Sequence, residues 1–183
     1  RPRRRETFNH RRMKEMKEIE IKPVSRVDAA VKIPGSKSYT QRALAIAALA
    51  EGTSFLSNAL FSGDTERLMS ALRDLGANIL VGDDGITVTG TGGNILNPDR
   101  EIHLGNNGTA LRLLISLVAL GRGNYVLTGD NRLCERPVKP LLDALASLGV
   151  RARSDGGFPP VTIDAEGLPG GTVALRDIES SQY

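Results

Sequence analysis

Tryptophan is absent, cysteine occurs once and histidine twice, and aromatic residues make up 4 % of the 183 residues. Each shortage removes a class of function. So few aromatics leave no stacking platform for nucleic-acid bases. A single cysteine, Cys134, rules out an internal disulfide and suits a reducing cytoplasm. His10, His103 and Cys134 are too few for a zinc centre, so no metal site is expected. The longest largely apolar run, Leu113 to Leu120, is far short of the roughly 20 residues that cross a bilayer, so no membrane partner is expected.

Charge is balanced once its distribution is considered. The net charge is +3, but ten of the 24 basic and five of the 21 acidic residues fall in residues 1–28. That leaves 14 basic against 16 acidic residues in the remainder, which argues against a nucleic-acid partner for the body of the protein. The leader RPRRRETFNHRR holds six arginines and almost nothing apolar, so residues 1–15 read as a disordered basic tail. It has no apolar run of the kind a secretory signal requires.

Apolar residues at 40 % and charged residues at 25 % are those of a globular chain with a sizeable core. The most informative stretch is Pro34-Gly35-Ser36-Lys37-Ser38-Tyr39-Thr40-Gln41-Arg42, between an apolar run at Val31–Ile33 and an alanine- and leucine-rich helix from Ala43 to Ala50. Strand, tight loop and helix start follow one another. Hydroxyls beside the free amides of a helix N-terminus, with Lys37 and Arg42 close by, make a receptor for phosphate or carboxylate.

Alternation of charge and apolar residues from Met16 to Val24 predicts a half-exposed strand, and Asp28–Ile33 a second. Thr53–Leu60 is strand-like, Ser62 to Thr65 a turn and helix cap, Thr65–Leu75 a helix ending at Gly76, and Ala77–Val81 with Gly85–Thr89 a hairpin. The order then repeats. Glu101–Leu104 is a strand, Gly105-Asn106-Asn107-Gly108-Thr109 a loop, and Ala110–Leu120 a helix stopped at Gly121. Asn124–Thr128 is a strand and Val138–Leu148 a helix stopped at Gly149. Val150–Arg153 and Pro160–Asp164 close a second hairpin. Ala71–Gly76 and Ala144–Gly149 echo one another at matching places. This predicts an internal repeat of β-α-β-α-β-β units, unit one over 31–98 and unit two over 99–166. A third begins at 167 with a strand at Thr172–Leu175 and stops at Ser180-Ser181-Gln182-Tyr183, where a helix should start. The expectation is the front part of a longer protein.

Four motifs in register, Pro34–Ser38 with Arg42, Gly105–Arg112, Glu135-Arg136-Pro137 and Ser180-Ser181-Gln182, resemble the 5-enolpyruvylshikimate-3-phosphate (EPSP) synthases across residues 16–183. The resemblance implies an α/β (α+β) enolpyruvyl transferase fold with units about a pseudo-threefold axis. Residues 31–183 would be an incomplete N-terminal domain, and residues 16–30 leading strands in part belonging to the other domain. It implies transfer of the enolpyruvyl group from phosphoenolpyruvate to the 5-hydroxyl of shikimate 3-phosphate, with no cofactor, in the cytoplasm. Lys37 would touch both substrates. Ser38 and Arg42 would hold shikimate 3-phosphate, Gly108 and Arg136 phosphoenolpyruvate. Ser180 and Ser181 would bind the 3-phosphate and Gln182 would lie between the substrates. Asp64, Asn106 and Thr109 are second-rank binding candidates. The acid–base groups belong to the family's C-terminal domain, so no catalytic residue is expected in this chain, which would be inactive without that partner domain. Asn107 replaces a small residue usual in the family, and Leu113 a frequent proline.

Three other readings compete. UDP-N-acetylglucosamine enolpyruvyl transferase shares the fold, but its catalytic cysteine precedes an arginine by more than the two residues between Cys134 and Arg136, and Lys37-Ser38 stands where it has Lys-Asn. An anion-binding module without turnover is the second, and nucleic-acid binding through the leader the third.

Overall fold

A computed structural model describes residues 20–175 of the chain. Contacts divide the chain after Lys32 into a leading unit and a body. In the leading unit, residues 20–32 are exposed and carry no strand. The two strands expected between Met16 and Ile33 are therefore absent from the described residues, and residues 16–19 lie outside them. The alternating pattern is real, but a strand needs a neighbour's backbone groups, and among the described residues no strand pairing involves residues 20–32.

The body begins with α1 (Lys37–Leu49), β1 (Thr53–Ser57), α2 (Gly63–Asp74), β2 (Asn78–Gly82) and β3 (Gly85–Thr89). These three strands form an antiparallel sheet in the order β1-β3-β2. The second half has β4 (Ile102–His103), α3 (Gly108–Val118), β5 (Arg122–Thr128), α4 (Asn131–Cys134), α5 (Lys139–Ser147), β6 (Arg151–Asp155) and β7 (Phe158–Glu166). Its sheet runs β4-β5-β7-β6, with β4 parallel to β5 and the other pairs antiparallel. The order β5-β7-β6 reproduces β1-β3-β2, which is the topology a repeated unit requires. Beside β1, no counterpart of β4 is present among the described residues, because Val31–Ile33 forms no strand. Thr172–Leu175, expected to open a third unit, also carries no strand and is exposed.

Both echoed glycines take positive φ at the end of a helix, +106° at Gly76 and +86° at Gly149, a conformation glycine adopts without strain. The sequence echo thus marks the same helix-to-hairpin junction twice. The hairpin after the first junction turns through Asp83 and Asp84 with Gly82 opposite Gly85.

Alpha-helix α3 is the centre of the body. Leu111, Leu114, Ile115 and Val118 are fully buried, and the helix packs against α1, β5 and β7. Leu44 and Ala48 of α1, Leu68 and Leu72 of α2, and Leu127, Val161 and Ile163 of the second sheet join it in one continuous core. The short helix α4 is a departure from expectation; nothing in its four residues carries a helical period.

Tyr125 is among the largest wholly buried side chains. Its hydroxyl lies 3.2 Å from the carbonyl oxygen of Ile95 and 3.3 Å from that of Arg122, and can donate to either. Gly121, expected as a helix stop, exists to admit this group: a Cβ there would fall 2.2 Å from the tyrosine oxygen. Burial raises the phenol above its ordinary value of 10.0. A raised acid stays neutral in the fold after it would ionise in the unfolded chain, so this stability is complete below pH 10 and falls as pH rises through the folded value. Tyr125→Phe is expected to cost about 1 kcal/mol at neutral pH. Urea denaturation at neutral pH and above pH 10 should show the gap between the two proteins closing under alkali; a constant gap would mean that the phenol does not titrate with folding.

Candidate functional site

Helix α1 starts where Ser36 caps it, its Oγ accepting from the Tyr39 amide at 3.4 Å. Gly35 is required here because a Cβ would lie 2.0 Å from the carbonyl oxygen of Asn58. The buried Thr40 accepts from the Leu60 amide at 3.0 Å, pinning the helix start to the same loop. Lys37, the first helical residue, is thereby held at a fixed point on the surface.

Alpha-helix α2 starts with a reciprocal cap between Ser62 and Thr65. Asp64 sits in its first turn, and the Lys37 ammonium donates to Asp64 Oδ2 at 2.8 Å. Asn107 caps α3: its Oδ1 accepts from the Ala110 amide at 3.0 Å, and its Nδ2 donates to the Asp64 carbonyl oxygen at 2.9 Å. The starts of α1, α2 and α3 are therefore joined by hydrogen bonds.

The glycine-rich loop before α3 is fixed from below. The Gly105 amide donates to His103 Nδ1 at 3.3 Å, and the Asp130 amide to the Gly105 carbonyl at 2.9 Å. His103 Nε2 faces Asp130 Oδ1 at 3.6 Å. Two arginines cover the loop. A Cβ on Gly108 would lie 2.8 Å from Nη1 of Arg136, and one on Gly105 2.7 Å from the guanidinium carbon of Arg67. Both glycines are thus the space that lets a guanidinium lie against the backbone.

Among the residues predicted from sequence, the structure brings Lys37, Asp64, Gly108 and Arg136 to this one region. Asn106, exposed, and Thr109, half-buried, flank the Asn107–Gly108 pair. Ser38 and Arg42 occupy the first turns of α1 and hold one another: Arg42 Nη1 donates to Ser38 Oγ and, at 3.3 Å, to the Ser38 carbonyl. Ser180, Ser181 and Gln182 lie outside the described residues.

Arg112 is a brace. It is 8 % exposed and donates to the carbonyls of Gly108 at 3.1 Å and Pro137 at 3.0 Å, tying the first turn of α3 to the loop that carries Arg136. Sequence reasoning missed Arg67 and the bracing of Asn107. The signal for Asn107 was legible, since asparagine directly before Gly-Thr and an apolar run is a favoured helix cap; the helix begins at Gly108 rather than Ala110. Leu113 lies further along, where α1 and α3 leave an open apolar groove of about 480 Å³ with Arg42 at its rim. Cys134 is half-buried, its Sγ 3.5 Å from the Gly129 carbonyl oxygen, the setting of a packed thiol. No group of three His, Cys, Asp or Glu side chains among the described residues could hold a metal, and no described helix is long and apolar enough to cross a membrane.

Helix N-termini, with Lys37 and Arg136 tied to one glycine-rich loop, can receive a small, multiply charged anion and orient it. Gly108→Ala should displace Arg136 and weaken binding of inorganic phosphate by about tenfold, the size of one lost charge-assisted hydrogen bond. Titration calorimetry with a melting curve checks this: unchanged affinity in a folded variant would remove Arg136 from the site.

The family model for EPSP synthase (3-phosphoshikimate 1-carboxyvinyltransferase) matches residues 21–183. The 3-phosphoshikimate 1-carboxyvinyltransferase of Shewanella amazonensis is 45 % identical over 173 residues, 92 % of this chain and 40 % of the relative. That of Sulfurovum sp. is 43 % identical over the same shares. The solved EPSP synthase of Acinetobacter baumannii superposes with a TM-score of 0.76 at 30 % identity, covering 83 % of this chain and 35 % of that one. The enolpyruvyl transferase NikO of Streptomyces tendae, at 15 % identity and a TM-score of 0.54, shares the fold. The chain thus spans about 40 % of the length of the curated relatives it matches.

Proposed function

The chain belongs to the EPSP synthase family, and on that premise we propose that it supplies the anion-binding half of an enzyme moving the enolpyruvyl group of phosphoenolpyruvate to the 5-hydroxyl of shikimate 3-phosphate. Phosphate is released in that reaction. The observation that carries the reading is the run of contacts that ties two cations to one loop. Arg136 lies against Gly108, while Lys37 reaches Asp64, whose carbonyl is bonded to the neighbouring Asn107.

Both substrates are phosphorylated, and phosphoenolpyruvate also carries a carboxylate. The planar guanidinium of Arg136 suits bidentate binding of such a group, and it lies against Gly108 at the start of α3, where the two would hold phosphoenolpyruvate. Lys37, whose ammonium has three donors, would keep Asp64 with one and meet substrate oxygens between the two molecules with the others. Ser38 and Arg42 would turn from each other to shikimate 3-phosphate. Ser180 and Ser181 would bind its 3-phosphate and Gln182 would sit between the substrates, with Asn106, Asp64 and Thr109 supporting.

Protonation of the phosphoenolpyruvate methylene builds positive character on the neighbouring carbon. The 5-hydroxyl adds there as it loses its proton, and the tetrahedral adduct then expels phosphate while its new methyl group gives up a proton, restoring the carbon–carbon double bond. This chain's part is to hold charge and geometry; the groups that move protons would come from a C-terminal domain. We infer the domain plan on the same basis: residues 1–15 a basic leader, residues 16–30 a segment belonging in part to the other domain, where it would supply leading strands, and residues 31–183 an incomplete N-terminal domain. The single half-buried cysteine fits a cytoplasmic setting.

Shikimate 3-phosphate is expected to raise the melting temperature of this chain, and UDP-N-acetylglucosamine to leave it unchanged, by differential scanning fluorimetry. The reverse pattern would assign the site to the sister transferase. Lys37→Met should weaken binding of shikimate 3-phosphate by about 10- to 100-fold with little change in folding, because it deletes a charge-assisted contact. Equal affinity in the two proteins would take Lys37 out of the site.

A further inference from the structure

Helix capping uses only one end of the Asn107 side chain. Oδ1 accepts from the Ala110 amide, and serine, threonine or aspartate would cap about as well through one oxygen. The other end has a separate task. Nδ2 donates across 43 residues to the Asp64 carbonyl oxygen, and the side chain doing this is 2 % exposed. A carbonyl has two lone pairs, so Asp64 can accept this bond without surrendering its place in α2. The same residue's carboxylate holds the Lys37 ammonium at 2.8 Å. We propose that Asn107 is a positioning residue for Lys37: its buried amide locks the start of α2 to the start of α3, and so fixes the carboxylate on which the lysine rests.

Lysine is the side chain most in need of such help. Its ammonium sits on four rotatable bonds, and here the Lys37 side chain is 53 % exposed. Unpaired, it would sample many rotamers, and ordering it would fall on the ligand. Asp64 selects one region for it, beside the loop that Arg136 covers. Asp64 can do so only while its backbone keeps its place beside the start of α3; core packing brings the two helices near one another, and Asn107 Nδ2 bonds directly across the gap at 2.9 Å. The inference rests on the preceding reading for the ligand that Lys37 meets. Its geometric core, Asn107 acting on Lys37 through Asp64, stands on this chain's hydrogen bonds.

The test follows the reactivity of Lys37 in the whole chain. Limited acetylation with a water-soluble N-hydroxysuccinimide ester is read by peptide mass spectrometry, with the exposed Lys32 as internal reference. Asp64→Ala sets the scale: release of the ammonium should speed Lys37 acetylation about two- to fivefold, the range for a part-exposed ion pair. Asn107→Ser and Asn107→Asp keep a capping oxygen and remove the donor to Asp64. Both are expected to raise the Lys37 rate towards the Asp64→Ala value while circular dichroism and the melting curve show a folded chain. In the Asp64→Ala background, Asn107→Ser should add nothing further. The smaller Asn107→Ser change keeps the test decisive should Asn107→Asp unfold. Lys37 rates that neither Asn107 variant alters, that add to the Asp64 effect, or that Asp64→Ala itself leaves unchanged would overturn the proposal. Phosphate affinity measured on Lys37→Met separates the two levels: if it is unaffected, the functional reading fails, while the acetylation result still decides the role of Asn107.

Discussion

Burial of α3 against α1 and the second sheet sets the terms for everything polar nearby. A helix buried along most of its length, open only where Leu113 and Ser116 line the apolar groove, presents polar backbone at its ends, and its N-terminal end carries unpaired amides and positive potential. Those amides must be answered, and Asn107 answers one of them while reaching across to Asp64. The apolar packing of Leu111, Leu114 and Ile115 thus decides where the charged chemistry sits. Arg112, lying along the same helix, spends its guanidinium on the carbonyls of Gly108 and Pro137 and delivers the Arg136 loop to the helix start. Core and site are consecutive turns of one helix.

The two sheets show how such a site is assembled from a repeat. In each half a helix precedes the first of three strands in the same pairing order, and a second helix ends on a left-handed glycine before a hairpin. Neither half carries the whole of the candidate site. The first supplies Lys37 and Asp64, the second Gly108 and Arg136, and the Asn107 bond joins the two contributions.

Features governed by near neighbours in the chain were readable in the sequence. Ser62 as a cap, Gly76 and Gly149 as helix ends and the Asp83-Asp84 hairpin turn all depend on residues within a few positions. Lys37 stood out because a cation beside a glycine at a helix start is a local pattern, and Arg136 through the Glu135-Arg136-Pro137 motif of the family resemblance. Features set by distant contacts were not readable. Arg112 could have faced a ligand or a carbonyl, and only the approach of Pro137, 25 residues on, decides for the carbonyl. Gly121 passed for a helix stop when its reason is the tyrosine oxygen of Tyr125. The strands expected before Ile33 failed for the same cause: alternation states which face could be buried, never whether a partner strand is present.

The central claim is that three helix starts, tied together through Lys37, Asp64 and Asn107, form one anion-receiving surface with Arg136 at its edge. Amide chemical-shift mapping of the isotopically labelled chain during titration with shikimate 3-phosphate addresses it most directly. The account predicts saturable shifts concentrated at Ser36 to Arg42, at Asp64 and from Asn106 to Thr109, with Arg136 responding in the same titration. Shifts centred instead on the apolar groove around Ile46 and Leu120, or scattered without saturation, would contradict it.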